Sequence, residues 1–223
     1  MARVTDGRPA WDAPPTEVRL ADGSVVVMRP IRAEDRELLR EGFERLSPQS
    51  RYFRFFSPVD HLSESLLTYF CDVDQHDHVA LGAVRRIDGR EVGVGIARCI
   101  RLADEPHAAE AAVAVADDHH GRGIGTMLLE ALAAVALQVG VDEFRLLVRR
   151  DNHAMLDVLE RLGATTRPTD EAAVACCVLA LPRLAAELRD STLWAVFVSF
   201  ARGEAELDRP GPRPAGPGPD REP

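Results

Sequence analysis

Residues 110–126 read EAAVAVADDHHGRGIGT, and this stretch decides the fold. Residues 111–116 are an apolar run long enough for one strand buried on both faces. Two aspartates and two histidines follow, then three glycines at alternate positions, and an apolar-periodic segment starts at once. Ile124, Leu128, Leu129, Leu132, Val135, Ala136 and Val139 fall on one face at helical spacing. Strand, glycine-rich turn and helix therefore run without a gap. That arrangement aims several backbone N–H groups and the positive end of a helix dipole at one spot. Such a spot binds an anion, most often a phosphate. Glycine serves there because a Cβ would hold a diphosphate away from the N–H groups.

The residues separate the phosphate-binding devices. A P-loop needs a lysine and a hydroxyl residue after its last glycine, but here Met127 follows Thr126 and no lysine stands near the helix start. A dinucleotide fingerprint needs Gly-x-Gly-x-x-Gly after the first strand, whereas here the spacing is Gly-x-Gly-x-Gly in mid-chain. The third pattern is Gln/Arg-x-x-Gly-x-Gly/Ala, the acyl-CoA pyrophosphate loop of the GNAT acetyltransferases. His120, Gly121, Arg122, Gly123, Ile124 and Gly125 resemble it closely, with His120 where Gln or Arg usually stands. The alternative is a glycine-rich turn before an ordinary helix.

The rest of the chain supplies elements around this centre. Residues 18–20 and 25–29 flank Ala21-Asp22-Gly23-Ser24, a hairpin signal, and Pro30 is expected to close it. Residues 33–46 read as a helix. Ser47 and Pro48 suit an N-cap and first helical position, and the aromatic and basic cluster that follows reads as a short helix packed on the sheet. Residues 62–71 form a further helix, with Ser63 as cap. Residues 79–84 and 92–100 read as strands around Asp88-Gly89, and residues 144–148 as another. Residues 152–162 form a helix with Met155, Val158, Leu159 and Leu162 inward, stopped by Gly163. A last strand covers 172–181, and helices cover 182–189 and 192–202. The histidine and aspartate groups at 72–78 and 117–120 suggest metal ligands, but no Cys or Glu completes a set nearby, and they read as solvated loops.

Composition bounds the function. The 223 residues suit one domain with appendages: an N-terminal arm at 1–15, a domain at 16–181, a helical extension at 182–207, and a Pro/Gly-rich tail at 208–223 expected to be disordered. A net charge of -9 argues against nucleic acid as a partner. The four cysteines form no C-x-x-C pair and read as small core residues in a reducing, cytoplasmic compartment. No apolar run reaches the length of a membrane span, and the N-terminus lacks a signal peptide's apolar core. No membrane partner is expected.

Element order and motifs together resemble the GNAT fold over about residues 18–181, an α/β (α+β) architecture with a mixed, mostly antiparallel central sheet flanked by helices. Within it, VRLADGSVVVMRPI, LSPQSRYFRFF, AEAAVAVADDHHGRGIGT and DNHAMLDVLERLGA are most similar to the catalytic domain of bacterial Pat-type protein lysine acetyltransferases. The resemblance implies an acetyl-CoA-dependent N-acetyltransferase without a metal. It makes Glu110 the general base. It assigns the backbone of Val113, Ala114 and Val115 to the pantetheine arm and acetyl carbonyl. The pyrophosphate falls to Gly121, Arg122, Gly123, Ile124, Gly125 and Thr126, and further coenzyme A contacts fall to Asn152 and Arg161. The implied acceptor is a protein lysine, with an acyl-CoA synthetase as first candidate. Pat-type enzymes often carry a second, ligand-binding domain, and nothing in this sequence is long enough to be one.

The implied chemistry is physically coherent. A lysine amine has a pKa of about 10.4 and must lose a proton before attacking a thioester. A carboxylate beside the acyl group takes that proton, and a backbone N–H stabilises the oxyanion. Read from the residues alone, Glu110 is equally a solvated strand-edge carboxylate. One departure is clear. Many GNAT enzymes place a tyrosine acid where Leu159 stands, and no tyrosine follows Tyr69. The thiolate then leaves without that acid, or takes its proton from water. Two alternatives stay open: the same chemistry on a small amine such as a polyamine, amino sugar or amino-acid derivative, and an acyl-CoA sensor without turnover.

Overall fold

The structure is a computed structural model that describes residues 15–188 together with residues 194, 195, 197 and 198. Most of the expected N-terminal arm, most of the second C-terminal helix and the tail at 208–223 lie outside the described residues.

The hairpin that opens the domain joins β1 (Thr16–Arg19) to β2 (Val25–Pro30). Its turn uses Gly23 at a φ of 81° and the Asp22 carboxylate, which accepts the Ser24 N–H at 2.9 Å. Pro30 is the last residue of the strand, still paired with Leu81 across the sheet. Three short helices follow: α1 (Arg36–Glu44), α2 (Pro48–Phe55) and α3 (Glu64–Cys71). The Ser47 hydroxyl caps α2 by accepting from the Ser50 N–H, and the Ser63 hydroxyl caps α3 by accepting from the Leu66 N–H.

β3 (His78–Ile87) and β4 (Arg90–Arg101) turn at Asp88 and Gly89, both at positive φ, as a two-residue Asp-Gly hairpin requires. Then come β5 (Ala108–Val115), α4 (Ile124–Gln138), β6 (Glu143–Arg149), α5 (His153–Arg161), β7 (Thr165–Arg167), β8 (Val174–Ala180) and α6 (Leu181–Leu188). Gly163 stops α5 at a φ of 80°. The short strand β7 has no apolar alternation, since all three of its residues are exposed.

The sheet runs β1-β2-β3-β4-β5-β6-β8-β7 and is antiparallel except where β5 meets β6. That parallel pairing is brief: Ala108, Ala109 and Glu110 face Glu143, Phe144 and Arg145, and there it ends. Beyond Glu110, β5 continues against β4 alone, while β6 continues against β8. The two strands splay and leave a cleft open in the middle of the sheet. This overturns the expectation of a strand buried on both faces: Ala112, Val113, Ala114 and Val115 are half-exposed because the neighbouring strand has moved away.

Helix α4 packs across β3, β4 and β5. Its N-terminus comes so close to β4 that a Cβ on Gly95 would stand 2.9 Å from a Leu128 methyl and 3.1 Å from Ile124. Glycine at 95 therefore sets the depth at which α4 sits. The helix is more buried than its one-face periodicity predicts. Met127, Ala131, Ala133 and Ala134 are also inside, and Leu184, Trp194 and Phe197 belong to the same core. The expected C-terminal extension supplies that outer cover. On the opposite face of the sheet, Phe43, Leu46, Leu62, Leu67 and Phe70 make a second, smaller core among the helices α1, α2 and α3.

Candidate active site

The splayed strands frame a cleft of about 820 Å³, within the size range of ligand sites. Its floor is β5 from Glu110 to Val115. One wall is the glycine turn and the start of α4, a second is Leu146, Leu147, Val148 and α5, and a third is α2.

The turn is built to receive an anion. Gly121 and Gly123 adopt φ angles of 73° and 80°, which an L side chain rarely adopts. A Cβ on either would meet nothing within 4 Å, so both open onto free space. Gly123 takes the N-cap position of α4 but offers no side chain, and the first helical bond runs from the Met127 N–H to the Gly123 carbonyl at 2.9 Å. Among the described residues, no acceptor meets the backbone N–H groups of residues 121–126. A row of unsatisfied donors at a helix N-terminus is a strong anion cradle. A diphosphate fits it. Gly125 has a different reason to be glycine: its Cβ would touch Val115 at an ordinary 3.6 Å, so it eases helix against strand without demanding an unusual backbone.

The two aspartates before the turn are structural ties. Asp117 accepts the Ser47 N–H at 2.9 Å, the Ser47 hydroxyl at 2.7 Å and the Ser50 hydroxyl at 2.9 Å. Burial alone would raise its carboxyl, yet these bonds hold it below the usual range. They fasten the start of α2 to the phosphate turn. Asp118 binds Arg45 at 2.6 Å and the His119 ring at 2.8 Å. Against its own desolvation, these partners hold it at about 2.

The reading of the histidine and aspartate segments as solvated loops holds for Asp72, Asp74, His76 and Asp77, which are exposed, and fails at His119. His119 is only 4% exposed, and its ring lies between Asp118, Arg45 and Arg85. In the earlier loop, Asp74 accepts three backbone N–H groups, from His76, Asp77 and His78, and Gln75 is buried against Ile31 and Ala80. In the 74–78 loop the Asp74 carboxylate replaces missing backbone acceptors, whereas at 119–120 the N–H groups bond the Ala116 and Asp117 carbonyls. Among the described residues, no group of three His, Cys, Asp or Glu is placed to hold a metal ion.

Glu110 stands at the fork, on the last residue where β5 and β6 still pair, and is exposed to the cleft. It is the third residue of its strand, not its start. Among the described residues it accepts no hydrogen bond, so its lone pairs are free. Val113, Ala114 and Val115 line the cleft, and from Ala111 onward the β5 edge that faces the cleft has no strand partner. The Val115 carbonyl is engaged by the His120 ring, whose Nε2 stands 2.8 Å away and donates to it.

Gly121, Gly123, Ile124, Gly125 and Thr126 line the cleft with His120, but Arg122 does not. The Arg122 guanidinium is turned toward Asp22 and the Asp118 carbonyl. Asn152 lines the cleft while its side-chain oxygen accepts the Met155 N–H at 3.2 Å, capping α5. Arg161 lines it with an exposed guanidinium that makes no hydrogen bond or ion pair among the described residues. Leu159 is 1% exposed and points into the core, so no side chain at that position reaches the reacting atoms.

Reasoning from the sequence missed the α2 wall. Gln49, Ser50, Phe53, Arg54, Phe55 and Phe56 all line the cleft, although their periodicity suggests simple packing. The available signal was the pair of arginines, Arg51 and Arg54, among aromatics in an acidic chain.

Residues 36–164 match the family described as the Acetyltransferase (GNAT) family. The chain is 37% identical over 144 residues to Acetyltransferase PA5475 of Pseudomonas aeruginosa, covering 65% of this chain and 77% of that protein. It is 34% identical over 171 residues to Acetyltransferase Pat of Mycolicibacterium smegmatis, covering 74% of this chain but 48% of that longer protein. The fold matches the crystal structure of the GNAT domain of S. lividans PAT at a TM-score of 0.69 and 33% identity, over 74% of this chain and 96% of that one. Among the described residues no helix is long and apolar enough to cross a membrane.

Proposed function

This chain belongs to the GNAT acetyltransferase family, and on that premise we propose that it moves the acetyl group of acetyl-CoA onto a lysine side chain of another protein. The observation that carries the reading is the unsatisfied row of N–H groups at residues 121–126, which opens into the same cleft as the uncommitted Glu110 carboxylate. One end of the cleft suits a diphosphate and the other suits proton transfer.

In this reading residues 121–126 hold the pyrophosphate through backbone N–H groups and the dipole of α4. Arg161 and the Asn152 amide are free to meet other polar parts of the co-substrate. The open edge of β5 at Val113, Ala114 and Val115 supplies backbone pairing for the pantetheine amides and an N–H for the thioester oxygen. Glu110, directly or through a water, takes a proton from the incoming ammonium. The amine nitrogen bonds to the carbonyl carbon, the carbon–sulfur bond breaks as the nitrogen gives its second proton to solvent, and the thiolate takes a proton from solvent, since Leu159 offers none.

The protein acceptor rests on likeness to relatives named Pat. The α2 wall accords with it, because exposed Tyr52 and Phe56 beside an open cleft suit a macromolecular partner. An acyl-CoA synthetase is the first acceptor to try. The enzyme is incubated with such a synthetase and isotope-labelled acetyl-CoA, and modified lysines are mapped by mass spectrometry. Labelled lysines that depend on the enzyme support the reading. Rapid turnover of a polyamine or amino sugar, with no labelled lysine, replaces it with small-amine acetylation. Tight acetyl-CoA binding without thiol release for any acceptor leaves a sensor.

A further inference from the structure

Beside the cleft lies a second cavity of about 90 Å³, bounded by α1, β4 and the C-terminal half of α2. By the volume one water occupies, it holds several heavy atoms. Leu46, Arg54, Phe55 and Ala114 line both cavities, so the smaller one lies directly against the larger beside the strand that would carry the thioester. Its walls are mostly apolar, including Leu39, Phe43 and Phe55, but two arginines line it, Arg54 and Arg98.

Neither guanidinium makes an ion pair among the described residues: Arg98 meets no carboxylate, and Arg54 feels the Glu110 carboxylate only through space. Arg98 is 5% exposed, and it meets the His78 ring at 3.0 Å, the Phe70 carbonyl at 3.4 Å and the face of the Phe70 ring. None of these is a carboxylate. Arg54 is partly buried and stacks near the Phe55 ring, and among the described residues it makes no hydrogen bond or ion pair. Burial, then its neighbour Arg54, push the Arg98 guanidinium down to about 9. Burial likewise lowers Arg54, with the Glu110 carboxylate acting the other way. Arg29, by contrast, is buried against Asp35 with two bonds of 2.7 Å. A buried cation without a partner is costly, and a carboxylate meeting a guanidinium fork is a strong remedy.

Resting on the acyl-transfer reading above, we propose that the Arg54–Arg98 cavity receives the tail of an acyl group ending in a carboxylate, so that the enzyme uses dicarboxylic acyl-CoA thioesters of the succinyl type. The apolar walls match the methylenes and the guanidiniums match the terminal carboxylate. The reaction keeps its balance: the amine nitrogen bonds to the thioester carbonyl carbon, the carbon–sulfur bond breaks, Glu110 takes the amine proton, and coenzyme A leaves as the thiol after protonation by water. The transferred group keeps its carboxylate. The acyl side is favoured over the acceptor side because Ala114, beside which the thioester would lie, lines the cavity, and the cavity is small.

The test compares succinyl-CoA, butyryl-CoA and acetyl-CoA with one lysine peptide as acceptor, by thiol release and by calorimetric binding, in the full chain. The expected result is a kcat/KM for succinyl-CoA roughly tenfold or more above that for butyryl-CoA, with the same order in affinity. Arg54→Gln is expected to collapse that ratio, whatever it does to the butyryl rate. Arg98→Met is expected to do the same if it folds, and the half-exposed Arg54 provides the test if it does not. No succinyl preference in rate or affinity, or a ratio unchanged in Arg54→Gln, overturns the proposal. So does a dependence of Arg54 on a carboxylate in the acceptor peptide, which would give the arginines to the acceptor. Normal acetyl transfer with succinyl-CoA refused sinks this inference alone, whereas no turnover of any thioester with any acceptor sinks the transferase reading.

Discussion

The two walls of the cleft are made of different material. On the α4 side the working groups are backbone N–H donors from one continuous stretch, residues 121–126, and the side chains mostly step aside. Toward the α2 side they are side chains drawn from distant parts of the chain: Arg54 from the α2 wall, Glu110 from the β5 floor and, behind them in the adjoining cavity, Arg98 from β4. The first wall depends on φ angles and on where a helix begins. The second depends on which strands lie next to each other. Backbone sites tolerate sequence change so long as the turn forms, and side-chain sites move with the packing that holds them.

The sharpest way to separate the walls is to remove one function from each. Glu110→Gln keeps size and polarity but cannot take a proton. Turnover is expected to fall on the order of 10²–10⁴-fold, while calorimetry finds acetyl-CoA affinity little changed. A mutant with near-normal rate at pH 7 would assign proton removal to solvent or another group.

The tie between the walls comes next. Asp117→Ala deletes three hydrogen bonds that fasten α2 to the phosphate turn. It is expected to cost about 1–3 kcal/mol in urea unfolding and to raise the acceptor KM more than the acetyl-CoA KM. Equal changes in both would mean that the walls move as one body.

Within the backbone wall, the glycines should be unequal. Gly123→Ala forces a side chain onto a φ of 80° and puts a methyl into the open cradle. Coenzyme A affinity is expected to drop roughly tenfold, the size of the strain that an L residue meets there. Gly125→Ala meets Val115 at an ordinary distance and should fold and bind with a smaller loss. If Gly125→Ala proves the more harmful, close packing of α4 on β5 matters more than the turn.

The smallest effect belongs to the side-chain wall and concerns pH. Burial, and then the Arg98 charge, lower the His78 pKa to about 4, against an ordinary value of about 6.5. The unfolded chain therefore binds the proton first, and His78 weakens the folded state as pH falls from about 6.5 to about 4. Denaturation at several pH values should show this slope in the wild type and a shallower one in His78→Gln. An identical slope would place the titration elsewhere.

Much of the fold was legible in advance because local signals agreed. The Ser47-Pro48 start, the Ser63 cap, the Asp88-Gly89 turn and the Gly163 stop each act within a few residues and need no tertiary partner. The resemblance to the GNAT acetyltransferases brought with it a mixed, mostly antiparallel sheet, and the described sheet agrees. Other features escaped. His119 reads as a loop residue and is buried, because Arg45 and Arg85 come to it from elsewhere. β7 escaped because none of its residues is buried and alternation is the signal for strands.

By itself the sequence determined the glycine turn, the helix behind it and the strand before it, since each is a matter of residue type and spacing along one stretch. Only the tertiary structure decided that β5 and β6 part after Glu110, that the opened edge, the turn and α2 enclose one cleft, and that Arg98 is buried beside it without a carboxylate partner among the described residues. The physical reason is that a backbone donor is placed by its own chain, whereas an unpaired charge is defined by every neighbour that could have paired with it and does not.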